Sequence, residues 1–295
     1  MGWLRRALHT TLRRHRLQPK RRLGQHFLVD SRVLEHIVAV ADLGPQDAVL
    51  EVGAGTGTLT EQLARRAGWV VAVEVDPALR SVLQERVSSY PNVRIVQGDI
   101  LALDLRTLFP PGFVRKVVSN LPYQIASPLT VRLLQEVPDL ERLVLMVQRE
   151  VAERMVACPG TKDYGLLSLL VQYRAQVEIV LRIPPRAFLP PPKVHSAVVV
   201  LRPHPPPGPV DEALVFRVIR AAFAHRRKQL RNALRTLGIP PAVLEAAAEA
   251  ANVALHRRGE TLSLREFLAL AEALARFGCP TSAPDVPPAG DSQAR

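Results

Sequence analysis

Apolar positions along the chain follow two periods. Short apolar runs at Ala48–Val52, Trp69–Val75, Val93–Val96, Lys116–Val118 and Leu143–Val147 have the length of buried strands. Between them apolar residues recur every three or four positions. Leu34, Ile37, Val38 and Ala41 share one helical face behind a cap at Asp30 or Ser31, and Leu59–Ala67 reads as another helix. Val177–Ile183 and Val194–Leu201 are expected to pair as a final antiparallel set. Strands alternating with helices over short links predict an α/β layered sheet with helices on both faces.

The pattern changes after Arg202. Pro203 to Pro209 contains five prolines in seven residues, which continue neither a helix nor a central strand and predict a semi-rigid linker. Beyond it, Ala213–Leu237, Pro240–Ala251 and Leu264–Phe277 read as helices, so a small all-α C-terminal domain is expected. The expected plan is a basic arm at 1–19, a main domain at 20–202, the linker at 203–209, a helical domain at 210–277 and a disordered tail at 278–295.

Composition narrows the function classes. No apolar run reaches the 18 or so residues that span a bilayer, which argues against a transmembrane protein. Two cysteines, Cys158 and Cys279, exclude a disulfide scaffold and a four-Cys zinc site, and suggest a reducing, cytoplasmic setting. The formal charge is +12, and the excess is clustered. Residues 1–22 hold eight basic residues and no acid, and seven more lie between Glu212 and Glu245, again without an acid. Such blocks suggest a polyanionic partner, with nucleic acid foremost. The first block reads as a flexible or helical basic arm. Its Arg-rich, acid-free character also leaves a mitochondrial transit peptide open.

The strongest local motif is Val49-Leu50-Glu51-Val52-Gly53-Ala54-Gly55-Thr56-Gly57, a strand entering a glycine turn that opens a helix. The third glycine comes one residue too early for the dinucleotide fingerprint, and no Gly-Lys-Ser/Thr follows to make a P-loop. Glu74 stands 21 residues after Gly53, at the end of the next strand, where a carboxylate can accept from both ribose hydroxyls. Asp99, after the third strand, can accept from an adenine amino group while Ile100 packs on the ring. Three such pieces at the carboxyl ends of successive strands point to an adenosine ligand with no pyrophosphate, namely S-adenosylmethionine.

Asn120-Leu121-Pro122-Tyr123, after the fourth strand, suggests the reaction. The exocyclic amine of a nucleobase is a poor nucleophile because its lone pair is delocalised into the ring. The Asn120 amide oxygen and the Leu121 carbonyl can accept its two protons and direct the lone pair at a methyl donor. Pro122 stiffens the turn, and Tyr123 offers a stacking face.

With these residues in place, the chain resembles the small-subunit rRNA adenine dimethyltransferases, the KsgA/RsmA family, from about Lys20 to Leu274. The motifs match in order: Leu23-Gly24-Gln25-His26-Phe27-Leu28, the glycine turn with Glu51, Glu74, Gly98-Asp99-Ile100, Asn120-Leu121-Pro122-Tyr123, Phe188-Leu189-Pro190-Pro191-Pro192-Lys193-Val194, and Phe223 to Asn232. The resemblance implies a Rossmann-like methyltransferase sheet. It implies His26 and Leu28 at the methionine side of the cofactor, Glu51, Gly53 and Gly55 around it, Glu74 on ribose and Asp99 with Ile100 on adenine. Asn120 would sit at the reacting centre, with Tyr123 and Phe188 sandwiching a flipped base. It also implies N6,N6-dimethylation of two adjacent adenosines near the 3′ end of small-subunit rRNA, in a pre-30S or 30S particle, by a monomer with no metal or membrane partner. Arg226, Arg227, Lys228 and Arg231 would contact RNA phosphates. His26 stands where the family commonly has asparagine, and His195 where it has aspartate. A large-subunit, resistance-type methyltransferase and a ribosome-assembly binding factor with little catalysis are the alternatives.

Overall fold

The structure, a computed structural model, describes residues 2–137, 139–224 and 227–279. It divides into two compact units, Met1–Ala157 with Leu170–Pro206, and Cys158–Leu169 with the chain from Pro207.

The first unit is built on a seven-stranded sheet. Its strands are β2 (Asp47–Val52), β3 (Trp69–Glu74), β4 (Val93–Gln97), β5 (Val114–Asn120), β6 (Leu140–Gln148), β7 (Ala175–Ile183) and β9 (Ser196–Pro203), in the order β4-β3-β2-β5-β6-β9-β7. The first five are parallel, and β9 runs antiparallel to both β6 and β7. All six residues of β2 are buried, as a central strand covered on both faces requires. Two short strands, β1 (Phe27–Leu28) and β8 (Phe188–Leu189), form a separate antiparallel ribbon.

Helices α2 (Ser31–Ala41), α3 (Thr58–Ala64), α4 (Pro77–Val87), α5 (Ala126–Glu136) and α6 (Arg149–Met155) alternate with the strands. Asp30 caps α2 by accepting from the Arg32 N–H, and the expected face of Leu34, Ile37, Val38 and Ala41 is buried. The final antiparallel pair forms as expected, but β9 starts at Ser196 and runs through Pro203, which pairs with Ala175. A proline is tolerated there because it is the last residue of the strand. The basic arm is also more than an arm: α1 (Trp3–Arg14) is an amphipathic helix with Leu4, Leu8 and Leu12 buried in the first unit.

The second unit is helical, with α8 (Glu212–Ala224), α9 (Leu230–Leu234), α10 (Pro241–Ala250) and α11 (Leu264–Arg276). The single helix expected over Ala213–Leu237 is broken. The backbone at 229–231 pairs across the chain instead: Gln229 bridges Arg258, Leu230 N–H donates to Arg257 O at 2.8 Å, and Arg231 N–H to Leu255 O at 3.0 Å. Cys158–Leu169, read as part of the main domain, joins this unit. α7 (Leu166–Gln172) begins within it. The Tyr164 hydroxyl donates to Leu262 O at 2.7 Å, and its ring meets Phe223 edge-on. Among the described residues no helix is long and apolar enough to cross a membrane. The expected tail from Pro280 lies outside the described residues.

Candidate active site

A cavity of about 290 Å3 opens in the first unit at the carboxyl end of the sheet. Four stretches supply most of its lining, 23–28 before α2, the glycine turn from Glu51 to Leu59, the ends of β3 and β4, and 120–125 at the end of β5, and Leu34 and Ile37 of α2 with Leu79 of α4 complete it. This is where open α/β sheets form ligand crevices. Gly53 and Gly55 have φ of 71° and 58°, a left-handed backbone that side chains disfavour. Packing adds a second reason. A Cβ on Gly53 would lie 3.2 Å from Pro122 Cδ, and one on Gly55 would lie 3.2 Å from the Phe27 ring.

Two buried acids stand at the wall. Glu51 is enclosed, and both its Oε2 and the nearby Thr60 Oγ1 lack a hydrogen-bond partner. Burial pushes the Glu51 carboxyl up to about 8, and the charge of Glu74 adds to it. A buried carboxyl with an unpartnered oxygen beside a cavity is satisfied by a cationic or donor-bearing group. Burial likewise raises Glu74, against backbone N–H groups donating to both its oxygens, Gly55 to Oε2 at 2.8 Å and Asp76 to Oε1 at 2.9 Å. Each oxygen keeps a second lone pair for a ligand hydroxyl.

Asp76 ties this wall to the segment before α2. It caps α4 through the Ala78 N–H and accepts from Lys20 Nζ at 2.7 Å and Gln25 Nε2 at 3.0 Å. Burial works against its charge. The Lys20, Gln25 and Ala78 donors outweigh that and hold the carboxyl below its ordinary range. The stretch 20–28 is thereby fixed beside Glu74.

The remaining groups converge after β5. Asn120 Nδ2 donates to His26 O at 3.3 Å, which orients the amide and turns Oδ1 into its acceptor end. His26 Nδ1 lies 2.8 Å from Pro190 O, so Nδ1 carries the proton. The His26 ring stacks on Tyr123 with centroids 5.7 Å apart and planes at 26°. The Tyr123 hydroxyl meets Ser196 Oγ at 2.8 Å, and burial raises the phenol, which stays neutral.

The cavity thus brings together His26, Leu28, Glu51, Gly53, Gly55, Glu74, Asp99, Ile100, Asn120, Leu121, Pro122 and Tyr123. Phe188 differs. It pairs with Leu28 in the short ribbon, is 1% exposed within the core cluster of Val33, Leu34 and Ile37, and is not among the residues that line the cavity. Arg227, Lys228 and Arg231 are exposed in the second unit, Arg231 pairing with Glu245 at 2.6 Å, and Arg226 lies outside the described residues. Arg227 and Lys228 lie in the turn after α8 and not on a basic helix. His195 is exposed, with its carbonyl accepting from the Arg149 N–H. Residue reading missed Val75, an apolar side chain 46% exposed at the cavity, and Phe27, which closes over Gly55. An apolar residue directly after a strand-end acid was the available signal for Val75. Among the described residues no group of three or more His, Cys, Asp or Glu is placed to hold a metal.

The profile of a family described as ribosomal RNA adenine dimethylase matches residues 16–275. The "Ribosomal RNA small subunit methyltransferase A" of Alkaliphilus metalliredigens is 44% identical over 260 residues, 86% of this chain and 91% of the relative. Among solved structures, a dimethyladenosine transferase from Plasmodium falciparum superposes with a TM-score of 0.73 at 27% identity, covering 86% of this chain and 99% of that one. The 23S rRNA methyltransferase ErmE superposes at 0.65 with 30% identity, covering 84% and 99%.

Proposed function

This chain belongs to the ribosomal RNA adenine dimethylase family, and from that premise we propose that it dimethylates N6 of two adjacent adenosines near the 3′ end of small-subunit rRNA, with S-adenosylmethionine as donor. Its substrate is the rRNA in a pre-30S or 30S particle, which it meets in the cytoplasm as a monomer. The observation that carries the reading is the oriented Asn120 amide, with its acceptor end at the cavity beside the Tyr123 ring.

The residues present fit the cofactor. Unpartnered Glu51 Oε2 suits a cationic methionine end, and the free lone pairs of Glu74 suit a ribose diol. Asp99 suits an adenine amino group, with Ile100 and Val75 as apolar surfaces for the ring. When bound, the cofactor supplies a methyl group on a positively charged sulfur. Asn120 Oδ1 and the Leu121 carbonyl accept hydrogen bonds from the two N6–H groups of the unmethylated target adenine and aim its lone pair into the cavity. Tyr123 gives the base a stacking face, worth about 1–3 kcal/mol for a base on an aromatic ring. Phe188 supports that wall through its strand partner Leu28. The catalysis is positioning and fixed dipoles.

The likeness to a 23S enzyme supports a second reading, in which the target is large-subunit rRNA. The higher identity to small-subunit relatives favours the first. The test offers labelled S-adenosylmethionine with small subunits lacking the modification, naked small-subunit rRNA and naked large-subunit rRNA. Dimethyladenosine in small subunits is expected. Label only in large-subunit rRNA would overturn the substrate, and no label with cofactor still bound would leave an assembly-binding protein.

A further inference from the structure

Helix α1 has one face docked and the other charged. Leu4 packs into the core cluster with Val33 and Leu34, while Leu8 and Leu12 join Val29 against Leu17, Phe27 and Leu189. Polar contacts pin it as well. Arg14 and His15 reach Glu85 of α4 at 2.9 and 3.2 Å, and Arg5 donates to Arg186 O at 3.0 Å. The outward stripe is Arg6, His9 and Arg13, all exposed and spaced as one helical face, and the exposed Arg16 follows in the turn just past the end of the helix. The helix contains no acid. Among the described residues no carboxylate pairs with Arg6, Arg13 or Arg16. Trp3, 57% exposed at the start of α1, adds an aromatic face.

We propose that α1 and the turn after it form an RNA-binding element of the catalytic unit, in which Arg6, Arg13 and Arg16 contact backbone phosphates of the RNA that carries the target base. The proposal rests on the rRNA reading above. At 1.5 Å per residue the helical stripe from Arg6 to Arg13 extends about 10 Å, the rise of about three consecutive phosphates of one strand. Its inner face touches Phe27, whose ring packs on Gly55 at the cavity wall, so phosphates on the stripe lie behind the wall of the reacting site. Charge complementarity selects the occupant. Unpaired arginines release counterions from RNA, and Trp3 suits an unstacked base. A lipid surface is disfavoured because the apolar face of α1 is already buried in the protein.

The test compares the full-length protein with Arg6→Glu/Arg13→Glu/Arg16→Glu and with the neutral triple Gln variant, which guards against a folding defect. Filter retention of naked small-subunit rRNA over a salt series reads phosphate contacts without requiring methyl transfer. Expected are a loss of RNA affinity of about tenfold at low salt and a salt slope smaller by about 2, with cofactor affinity unchanged. KM for small subunits rises while kcat holds, and the triple Lys variant restores RNA affinity and KM. Unchanged RNA affinity and slope in both triple variants would overturn the proposal. So would loss of binding to polyglutamate alone, which would make the partner an acidic protein, or to anionic phosphatidylglycerol vesicles alone. If the wild type labels no rRNA yet its RNA binding depends on the stripe, the assigned reaction fails and this inference stands. If the wild type labels small subunits and the stripe variants match it throughout, this inference alone fails.

Discussion

Asn120 and Glu51 do different work within one cavity, and their environments separate the two roles. The Asn120 amide is half-buried and oriented by a single bond to the His26 carbonyl. Asn120→Ala removes an acceptor aimed at the amine, so methyl transfer is expected to fall by about 100-fold or more, the scale of losing one oriented transition-state dipole. Cofactor affinity should hold, because the Glu74 and Asp99 side of the cavity is untouched. Transfer within a few-fold of wild type would remove Asn120 from the chemistry. Glu51 is a stability question. Its folded carboxyl is raised to about 8 from an ordinary 4.5, so between those values the folded chain holds a proton that the unfolded chain has released. Its favourable contribution is therefore complete below about 4.5 and is lost as pH rises through about 8. In cofactor-free protein, Glu51→Gln is expected to melt with wild type at about pH 5 and above it at about pH 8.5. Coincident melting at both would show that Glu51 ionises freely in the fold.

Elements follow local pattern until a long-range contact competes with it. The central strands were legible because buried parallel strands are continuous apolar runs bounded by turns. The strand pair β1–β8 was not. Two residues carry no period, and Phe27 pairs with Leu189 across more than half the chain. The α8–α9 break was equally hidden. Leu230 and Arg231 fit a continuing helical pattern, yet their N–H groups bond to Arg257 O and Leu255 O instead of to the preceding turn, and α9 starts afresh there. Lys116 in β5 is a third case. It sits in a strand yet is buried, with Nζ 3.0 Å from Asp47 Oδ2 and 2.7 Å from Asp42 O. Removing one member of such a pair leaves the other charge unpaired. Lys116→Met is therefore expected to destabilise the protein by about 3–5 kcal/mol, read from its urea midpoint. A loss under about 1 kcal/mol would mean that water reaches Asp47.

At the scale of the molecule the chemistry and the second basic block fall in different units. Every cavity residue belongs to the first, and Arg227 and Lys228 belong to the second. Arg227→Glu/Lys228→Glu is expected to leave cofactor affinity intact, raise KM for small subunits and flatten the salt dependence by about 0.7 in slope for each phosphate no longer neutralised. An unchanged slope would place the RNA off this turn. The sequence by itself determined the alternating sheet, the helical second unit and nearly all of the cavity. Those depend on short-range facts: apolar period, glycines that must bend, and acids and an Asn-Leu-Pro-Tyr turn at strand ends. The tertiary structure alone decided that Phe188 is buried in the core, that α1 is docked, and that Cys158–Leu169 belongs with the helices. Each outcome turns on partners distant in sequence, Leu28 for Phe188, Glu85 for Arg14 and Leu262 for Tyr164, and local pattern carries no record of which distant surface a residue will meet.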